Sequence, residues 1–270
     1  MTRGGRDPAL EALMEQIART HGFRCDAYKT GCIRRRISAR MRARGAAGYD
    51  AYAALLRRDP VESQRLLDAL TIHVSRFYRN PETWDLLAAT VIPDLWRRRG
   101  RAPRCWSAGC AAGEEPYTLA ILLAEQARRE RASLPPALID ATDYDRPSVA
   151  KVAEASYPRA VIKDLPVDLA RRYLQGTDPV TPAPELRRLI RAAPHDLTHE
   201  GPPAPPYDLI LCRNVVIYFD SPTQERIASA LTDALAPGGC LVLGKVETVR
   251  GEARRRLVLE NARERVYRRP

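Results

Sequence analysis

No apolar run in this chain approaches the ~20 residues that a membrane helix needs. The N-terminus, Met-Thr-Arg-Gly-Gly-Arg-Asp-Pro, has no apolar signal-peptide core, so a cytoplasmic location is expected. Six cysteines include no C-x-x-C pair and four histidines are scattered, which speaks against a disulfide framework or any metal site. The pyrophosphate-cradling pattern G-x-G-x-x-G is missing. Acidic residues are scarce between Arg24 and Arg44, where eight cations face Asp26 alone within a net charge of +11. That excess suits an acidic partner, or else a solvated helix face. With 270 residues, 45% of them hydrophobic, the chain can form one large domain or two small ones.

What is present is organised around Arg104 to Tyr117. An apolar, strand-like run ends near Ala108; Gly109 and Gly113 follow, then Glu114 and Glu115, then a helical run from Pro116 to about Arg131. Strand, glycine turn and helix open a nucleotide-binding α/β unit. Two carboxylates at the helix start would repel phosphate. They suit a ligand with cationic groups and hydroxyl donors, such as S-adenosylmethionine. A second strand, Ala137 to Asp143, ends in an acid that can accept hydrogen bonds from ribose hydroxyls or simply cap a helix. Tyr207 to Asp220 delivers Arg213 and Asn214 to a strand's C-terminal end, the edge at which open α/β sheets bind ligands. A closing antiparallel pair is expected at 255–259 and 264–267.

Before this, residues 8 to 72 read as four helices: Pro8 to His21, a second capped by Asp26 and ended by Gly45, Tyr49 to Arg58, and one opened by Pro60. On the second, Ile33, Ile37 and Met41 form the inward stripe, and Arg36, Arg40 and Arg44 are expected to share an outer face. The boundaries that follow are a helical domain over 1–72, a linker segment and helix over 73–100, and an α/β domain over 101–270 with a small insertion at about 156–195.

Three stretches together resemble the chemotaxis receptor glutamate methyltransferases (CheR): Thr71-Ile-His-Val-Ser-Arg-Phe-Tyr-Arg-Asn-Pro-Glu82, Trp106-Ser-Ala-Gly-Cys-Ala-Ala-Gly-Glu-Glu-Pro-Tyr-Thr118, and Tyr207 to Asp220. The resemblance covers nearly the whole chain. It implies a Rossmann-like S-adenosylmethionine-dependent methyltransferase sheet behind an all-helical receptor-recognition domain. The implied reaction moves a methyl group onto glutamates of chemoreceptor cytoplasmic helices, giving γ-glutamyl methyl esters and S-adenosylhomocysteine. By motif position, the implied cofactor contacts are His73, Ser75, Arg79, Gly109, Glu115, Asp143, Asp196, Leu197, Arg213 and Asn214. Arg79 and Tyr218 match residues the family places beside the reacting carboxylate, and Arg36, Arg40 and Arg44 are the expected receptor contacts. A monomer is expected, with no nucleic acid and no membrane insertion.

The sequence departs from the family's usual pattern at His73 (usually Asn), Ser75 (usually Thr) and Lys245-Val246-Glu247 (usually His-Ser-Glu). The insertion is shorter than in members that grip a receptor's C-terminal peptide, so that tether is not expected. Two other readings compete. A nucleic-acid methyltransferase would suit the charge, but the Asn/Asp-Pro-Pro-aromatic tetrad is replaced by Asn214-Val-Val-Ile. A non-catalytic cofactor-binding module is opposed by the intact set Arg79, Glu115, Asp143, Asn214 and Tyr218.

Overall fold

The computed structural model describes residues 7–71 and 75–270. The chain divides into two units: Met1–Ile72 with Tyr218–Thr223, and His73–Ile217 with Gln224–Pro270.

The first unit is helical. Helix α1 (Pro8–His21) starts where the Asp7 carboxylate accepts the Leu10 N–H and ends at Gly22, whose φ of 70° closes the last turn. Its Leu10, Leu13 and Ile17 face the core. Helices α2 (Thr30–Arg44), α3 (Tyr49–Arg58) and α4 (Pro60–Leu70) follow, α4 capped by Asp59. Asp26 is not the cap of α2. It lies in a 3-10 turn, Cys25–Ala27, with both carboxylate oxygens on Arg24, and α2 begins at Thr30 without a side-chain cap. Residues 27–29 also hold the segment from the late part of the chain. The Lys29 N–H donates to the Tyr218 carbonyl (2.9 Å), the Asp220 N–H donates to the Ala27 carbonyl (3.0 Å), and the Tyr28 and Phe219 rings lie 4.7 Å apart.

The basic face of α2 is a correction. At about 100° per residue, positions 36, 40 and 44 fall within roughly 60° of Ile33, on the inner side. Arg36 is accordingly buried, donating to the Leu70 carbonyl, with its guanidinium carbon 5.0 Å from the Tyr218 ring centroid. Arg40 donates through two nitrogens to Glu62 (3.0 and 2.5 Å), and Arg44 pairs with Asp59 (2.9 Å) and Glu62 (3.5 Å). The exposed cations of α2 are Arg34, Arg35, Arg42 and Arg44, the last of them paired with Asp59 and Glu62.

The second unit is an α/β sheet. Its strands are β1 (Cys105–Ala108), β2 (Ile139–Asp143), β3 (Ile190–Pro194), β4 (Tyr207–Cys212), β5 (Leu235–Leu243), β6 (Val258–Asn261) and β7 (Val266–Arg268), in the order β3-β2-β1-β4-β5-β7-β6. The first five are parallel; β7 runs antiparallel to both β5 and β6. Order reverses at β1, so the crevice outside β1 and β4 is where a ligand of such a sheet binds. Strands β1 and β4 are buried at every position, as strands covered on both faces must be. Helix α5 (Pro81–Leu86) runs through a π-turn at Leu87–Val91 into α6 (Ile92–Arg99); α7 is Glu114–Glu130 and α8 is Arg146–Glu154. The segment expected as an insertion carries a helix (Val167–Tyr173) and a two-stranded ribbon, Leu174–Gln175 with Thr181–Pro182. It rejoins the sheet sooner than expected, because 190–194 is edge strand β3 paired with β2.

Glu62 links α2, α3 and α4. It is 1% exposed and also accepts from the Tyr52 hydroxyl (2.7 Å). Burial pushes its carboxyl up, but Arg40, Tyr52 and Arg44 more than reverse this, so its pKa lies below the ordinary carboxylate value. The ionised form therefore stabilises the unit above the ordinary pKa, and that contribution is lost as pH falls through the lowered one. We predict that Glu62→Gln destabilises the full chain by about 2 kcal/mol at neutral pH. The gap to wild type should narrow at a pH below the ordinary carboxylate value. Urea denaturation followed by helical signal at both pH values checks this; a gap independent of pH would contradict it.

Candidate active site

The loop after β1 is shaped by backbone that only glycine adopts freely. Gly109 has φ +82° and Gly113 φ +106°; a Cβ at Gly109 would lie 2.4 Å from a Val215 methyl, and one at Gly113 would lie 2.5 Å from the Tyr157 hydroxyl. Tyr157 is held there by donating to the Ala112 carbonyl (2.8 Å). The loop is pinned to β2, since the Gly109 and Cys110 N–H groups both donate to the Thr142 carbonyl (2.7 and 2.9 Å). One oxygen of Asp143 accepts the Ala111 N–H (2.9 Å) and the other the Asp145 N–H (3.0 Å). The His195 N–H donates to the Asp143 carbonyl (2.9 Å), bringing the turn at Asp196 and Leu197 to the same strand end. The Asp196 carboxylate is engaged within that turn, accepting from the Thr198 N–H (2.8 Å) and hydroxyl (2.6 Å).

The second half of the site is built on a buried ion pair. Glu115, in the first turn of α7, accepts from Ser107 of β1 (2.9 Å) and from Arg213 (3.3 Å). Burial pushes the Glu115 carboxyl up while Arg213 pulls it back; burial likewise lowers the Arg213 guanidinium, which Glu115 restores in part. Arg213 also donates to the Arg79 carbonyl (2.8 Å) and to Asn80 Oδ1 (3.2 Å), and lies over the Trp84 ring with its centre 5.0 Å from the centroid. The Trp84 indole N–H donates to the same Arg79 carbonyl (3.0 Å). Arg79 thus sits in a doubly anchored turn, flanked by Tyr78 (φ 57°) and Asn80 (φ 62°). A bulky residue such as tyrosine reaches positive φ only when its surroundings impose it. Here the Tyr78 N–H donates to Thr118 (3.0 Å) and its hydroxyl to Asp85 (2.8 Å).

Beyond Arg213, Asn214 has φ 61° and depends on Glu247. One oxygen of this carboxylate accepts the N–H groups of Asn214 (2.8 Å) and Gly244 (2.6 Å), and the other that of Ile217 (3.1 Å). Burial pushes Glu247 up, opposed by these N–H groups.

The site residues expected from sequence therefore fall into groups. Gly109, Asp143, Asp196 and Leu197 meet at the ends of β1 and β2, and Arg79, Glu115, Arg213 and Asn214 meet at the ends of β1 and β4. Ser75 lies near enough to Glu114 to oppose the upward push of burial on its carboxyl, and His73 lies outside the described residues. Tyr218 belongs to the helical unit, against Arg36. Sequence reasoning read Glu114 with Glu115 as a ligand-facing pair without giving it a contact of its own, and missed the part played by Glu247. Glu114 is 6% exposed; one carboxylate oxygen has no hydrogen-bond partner among the described residues, and burial pushes its carboxyl up. The signal for Glu114 was its place in Gly113-Glu-Glu; that for Glu247 was its position after a strand-ending Gly244.

Comparison with known proteins points one way. The family model described as "CheR methyltransferase, all-alpha domain" matches residues 8–71, and "CheR methyltransferase, SAM binding domain" matches residues 73–266. "Chemotaxis protein methyltransferase 2" of Pseudomonas aeruginosa is 33% identical over 88% of this chain and 85% of its own length. "Chemotaxis protein methyltransferase" of Klebsiella aerogenes is 33% identical over 89% and 83%. An uncharacterised 104.1 kDa protein of Rhodobacter capsulatus is 36% identical over 82% of this chain, which spans 23% of that protein's length.

We predict that Glu247→Gln lowers stability by about 1–3 kcal/mol, because an amide turns an N–H donor toward backbone N–H groups. Ligand affinity at this edge should fall with it, as Asn214 loses its anchor. Denaturant titration and binding calorimetry on one preparation read both effects, and wild-type values in both would remove Glu247 from the site.

Proposed function

The chain belongs to the CheR methyltransferase family, an S-adenosylmethionine-dependent methyltransferase, and on that premise we propose that it methylates glutamate side chains on the cytoplasmic helices of chemoreceptors, forming γ-glutamyl methyl esters. The observation that carries this reading is the consecutive match of both CheR models across 8–71 and 73–266. The cofactor fits the residues present. Gly109 and Gly113 let the loop turn tightly against Val215 and Tyr157, Asp143 stands at the end of β2 beside that loop, and Glu114 presents a buried acceptor with no partner among the described residues. Asp143 and the turn at Asp196 and Leu197 would hold its hydroxyl- and amine-bearing parts. Gly109, Glu115, Arg213 and Asn214 would shape the pocket, with His73 and Ser75 on the approaching segment.

When bound, S-adenosylmethionine supplies a methyl group on a cationic sulfur. The acceptor needs no general base: a glutamate with an ordinary pKa of about 4.3 is already ionised at neutral pH. What this chain contributes is position and dryness. Trp84 and Arg213 fix the Arg79 backbone, so the Arg79 side chain can orient the acceptor carboxylate by charge-assisted hydrogen bonds. A tighter clamp would favour the ground state, so orientation rather than charge stabilisation is its role. Tyr218 would fix the second oxygen. Ser107 and Cys110, both buried, help keep water from the floor of the site. On α2, Arg34, Arg35 and Arg42 are the cations available to steer an acidic receptor helix, with Arg35 and Arg42 on one side.

The reading is tested by incubating labelled S-adenosylmethionine with membranes carrying the organism's receptors; label should enter receptor protein and leave on mild base. Label that stays bound after base, or enters nucleic acid, would contradict it. Arg79→Ala should lower turnover roughly 100-fold at saturating cofactor through misplacement of the acceptor. Asp143→Ala should instead weaken cofactor binding about tenfold or more. Calorimetry beside steady-state kinetics separates the two, and normal turnover in Arg79→Ala would end its assignment. Reversing Arg35 and Arg42 to Glu should raise the receptor KM and flatten its salt dependence without changing cofactor affinity. Wild-type kinetics at low ionic strength would leave that face a solvated surface.

A further inference from the structure

Arg36 is 8% exposed, yet no carboxylate lies within ion-pair distance of it among the described residues. One terminal nitrogen donates to the Leu70 carbonyl; the other is buried and has no hydrogen-bond partner among the described residues. A cation taken out of water without a counter-ion is costly, so something must hold it there. A further contact is the Tyr218 ring, with the guanidinium centre 5.0 Å from the ring centroid, within cation–π range. A planar guanidinium can lie over a ring while donating in its own plane, which an ammonium cannot do in the same way.

We propose that Arg36 is a positioning residue for Tyr218: it fixes the ring, and through the ring the segment 218–220, in the conformation that methyl transfer uses. The assignment rests on the reading of Tyr218 as a residue beside the acceptor carboxylate. The backbone argues for the same device. Tyr218 and Asp220 exchange main-chain hydrogen bonds with Lys29 and Ala27, and Tyr28 and Phe219 form an antiparallel bridge with ring contact. These residues precede α2, the helix that carries Arg36. Leu70, which accepts from Arg36, closes α4 just before the stretch that leads to Ser75 and Arg79. One side chain therefore connects the placement of Tyr218 to the helix that presents the exposed cations Arg35 and Arg42.

The test uses the full chain and two readouts. The first is amide hydrogen exchange at Lys29 and Asp220 without any substrate, so it does not depend on the methyl acceptor being a receptor. Arg36→Lys should speed exchange at both amides about tenfold, with α1 unchanged, because charge is kept but the stacked plane is lost. Tyr218→Phe keeps the ring and should exchange like wild type; Tyr218→Leu should match Arg36→Lys, and the double variant should add little. This second pair approaches the contact from the other side should Arg36 variants fold poorly. The second readout is kinetic: Arg36→Lys should lower kcat about tenfold with the receptor KM within about twofold of wild type. Wild-type exchange in Arg36→Lys and Tyr218→Leu overturns the proposal. So does a raised KM with unchanged kcat, which would make Arg36 a receptor contact. Altered exchange in a chain whose wild type methylates no receptor would support the contact and reject the receptor assignment instead.

Discussion

A single guanidinium holds the site edge together. Arg213 leaves the end of β4 and meets Glu115 from α7, the carbonyl of Arg79, the amide oxygen of Asn80 and the face of Trp84. These partners come from two separate stretches of chain, 79–84 and the start of α7. Replacing such a buried pair by apolar groups can leave stability unchanged, so stability alone does not explain it. Its geometric consequence is clearer. The turn carrying Arg79 contains two non-glycine residues at positive φ, and it keeps that shape because its carbonyl is bound twice. An apolar replacement could fill the volume but could not address a carbonyl, an amide oxygen and a carboxylate at once.

The same logic recurs one residue on. Asn214 is also at positive φ, and Glu247 holds it by accepting backbone N–H groups from both sides of the crevice edge, at 214, 217 and 244. Gly244 has no room for a side chain, since a Cβ there would come 2.6 Å from the Glu247 carboxylate and 2.8 Å from the Asn214 nitrogen. Three of the non-glycine residues at positive φ, at 78, 80 and 214, each stand next to a residue assigned to chemistry or binding. A carboxylate or guanidinium recruited from elsewhere in the chain fixes each.

How much of this was legible in the sequence depended on whether the cause was local. The β1 strand, its glycines, Asp143 at the end of β2 and the Arg213-Asn214 strand end could be read because strand periodicity and turn chemistry act within a few residues. An α/β sheet with a terminal antiparallel pair followed from the alternation of elements, though not its count of strands. Asp26 misled, because Arg24 competes for its carboxylate two residues away. Arg36 misled for a different reason: helical angle puts it near Ile33, but arginine is so rarely buried that composition outweighed geometry. Glu247 could not be assigned, since its three partners lie at the ends of two strands and in a later turn. Edge strand β3 was counted with the insertion at about 156–195, because its partner β2 is distant in sequence.

The two units also differ in how their buried acids respond to protons. Glu62 in the helical unit is pulled below the ordinary carboxylate value by its partners, so its contribution fades on acidification. Glu114, Glu115 and Glu247 in the site are all pushed up by burial. For a raised carboxyl the sign reverses: the folded state holds its proton more tightly than the unfolded chain does. Its favourable contribution is present below the ordinary value and is lost as pH rises through the raised one. Ionising these carboxylates therefore carries a desolvation cost. Arg213 offsets that cost at Glu115, and backbone N–H groups offset it at Glu247. Glu114 has the weakest compensation, with one oxygen lacking a hydrogen-bond partner among the described residues. A cationic or hydroxyl-bearing ligand would relieve it most, which is why a pair of acids at this helix start suits S-adenosylmethionine and would repel a phosphate.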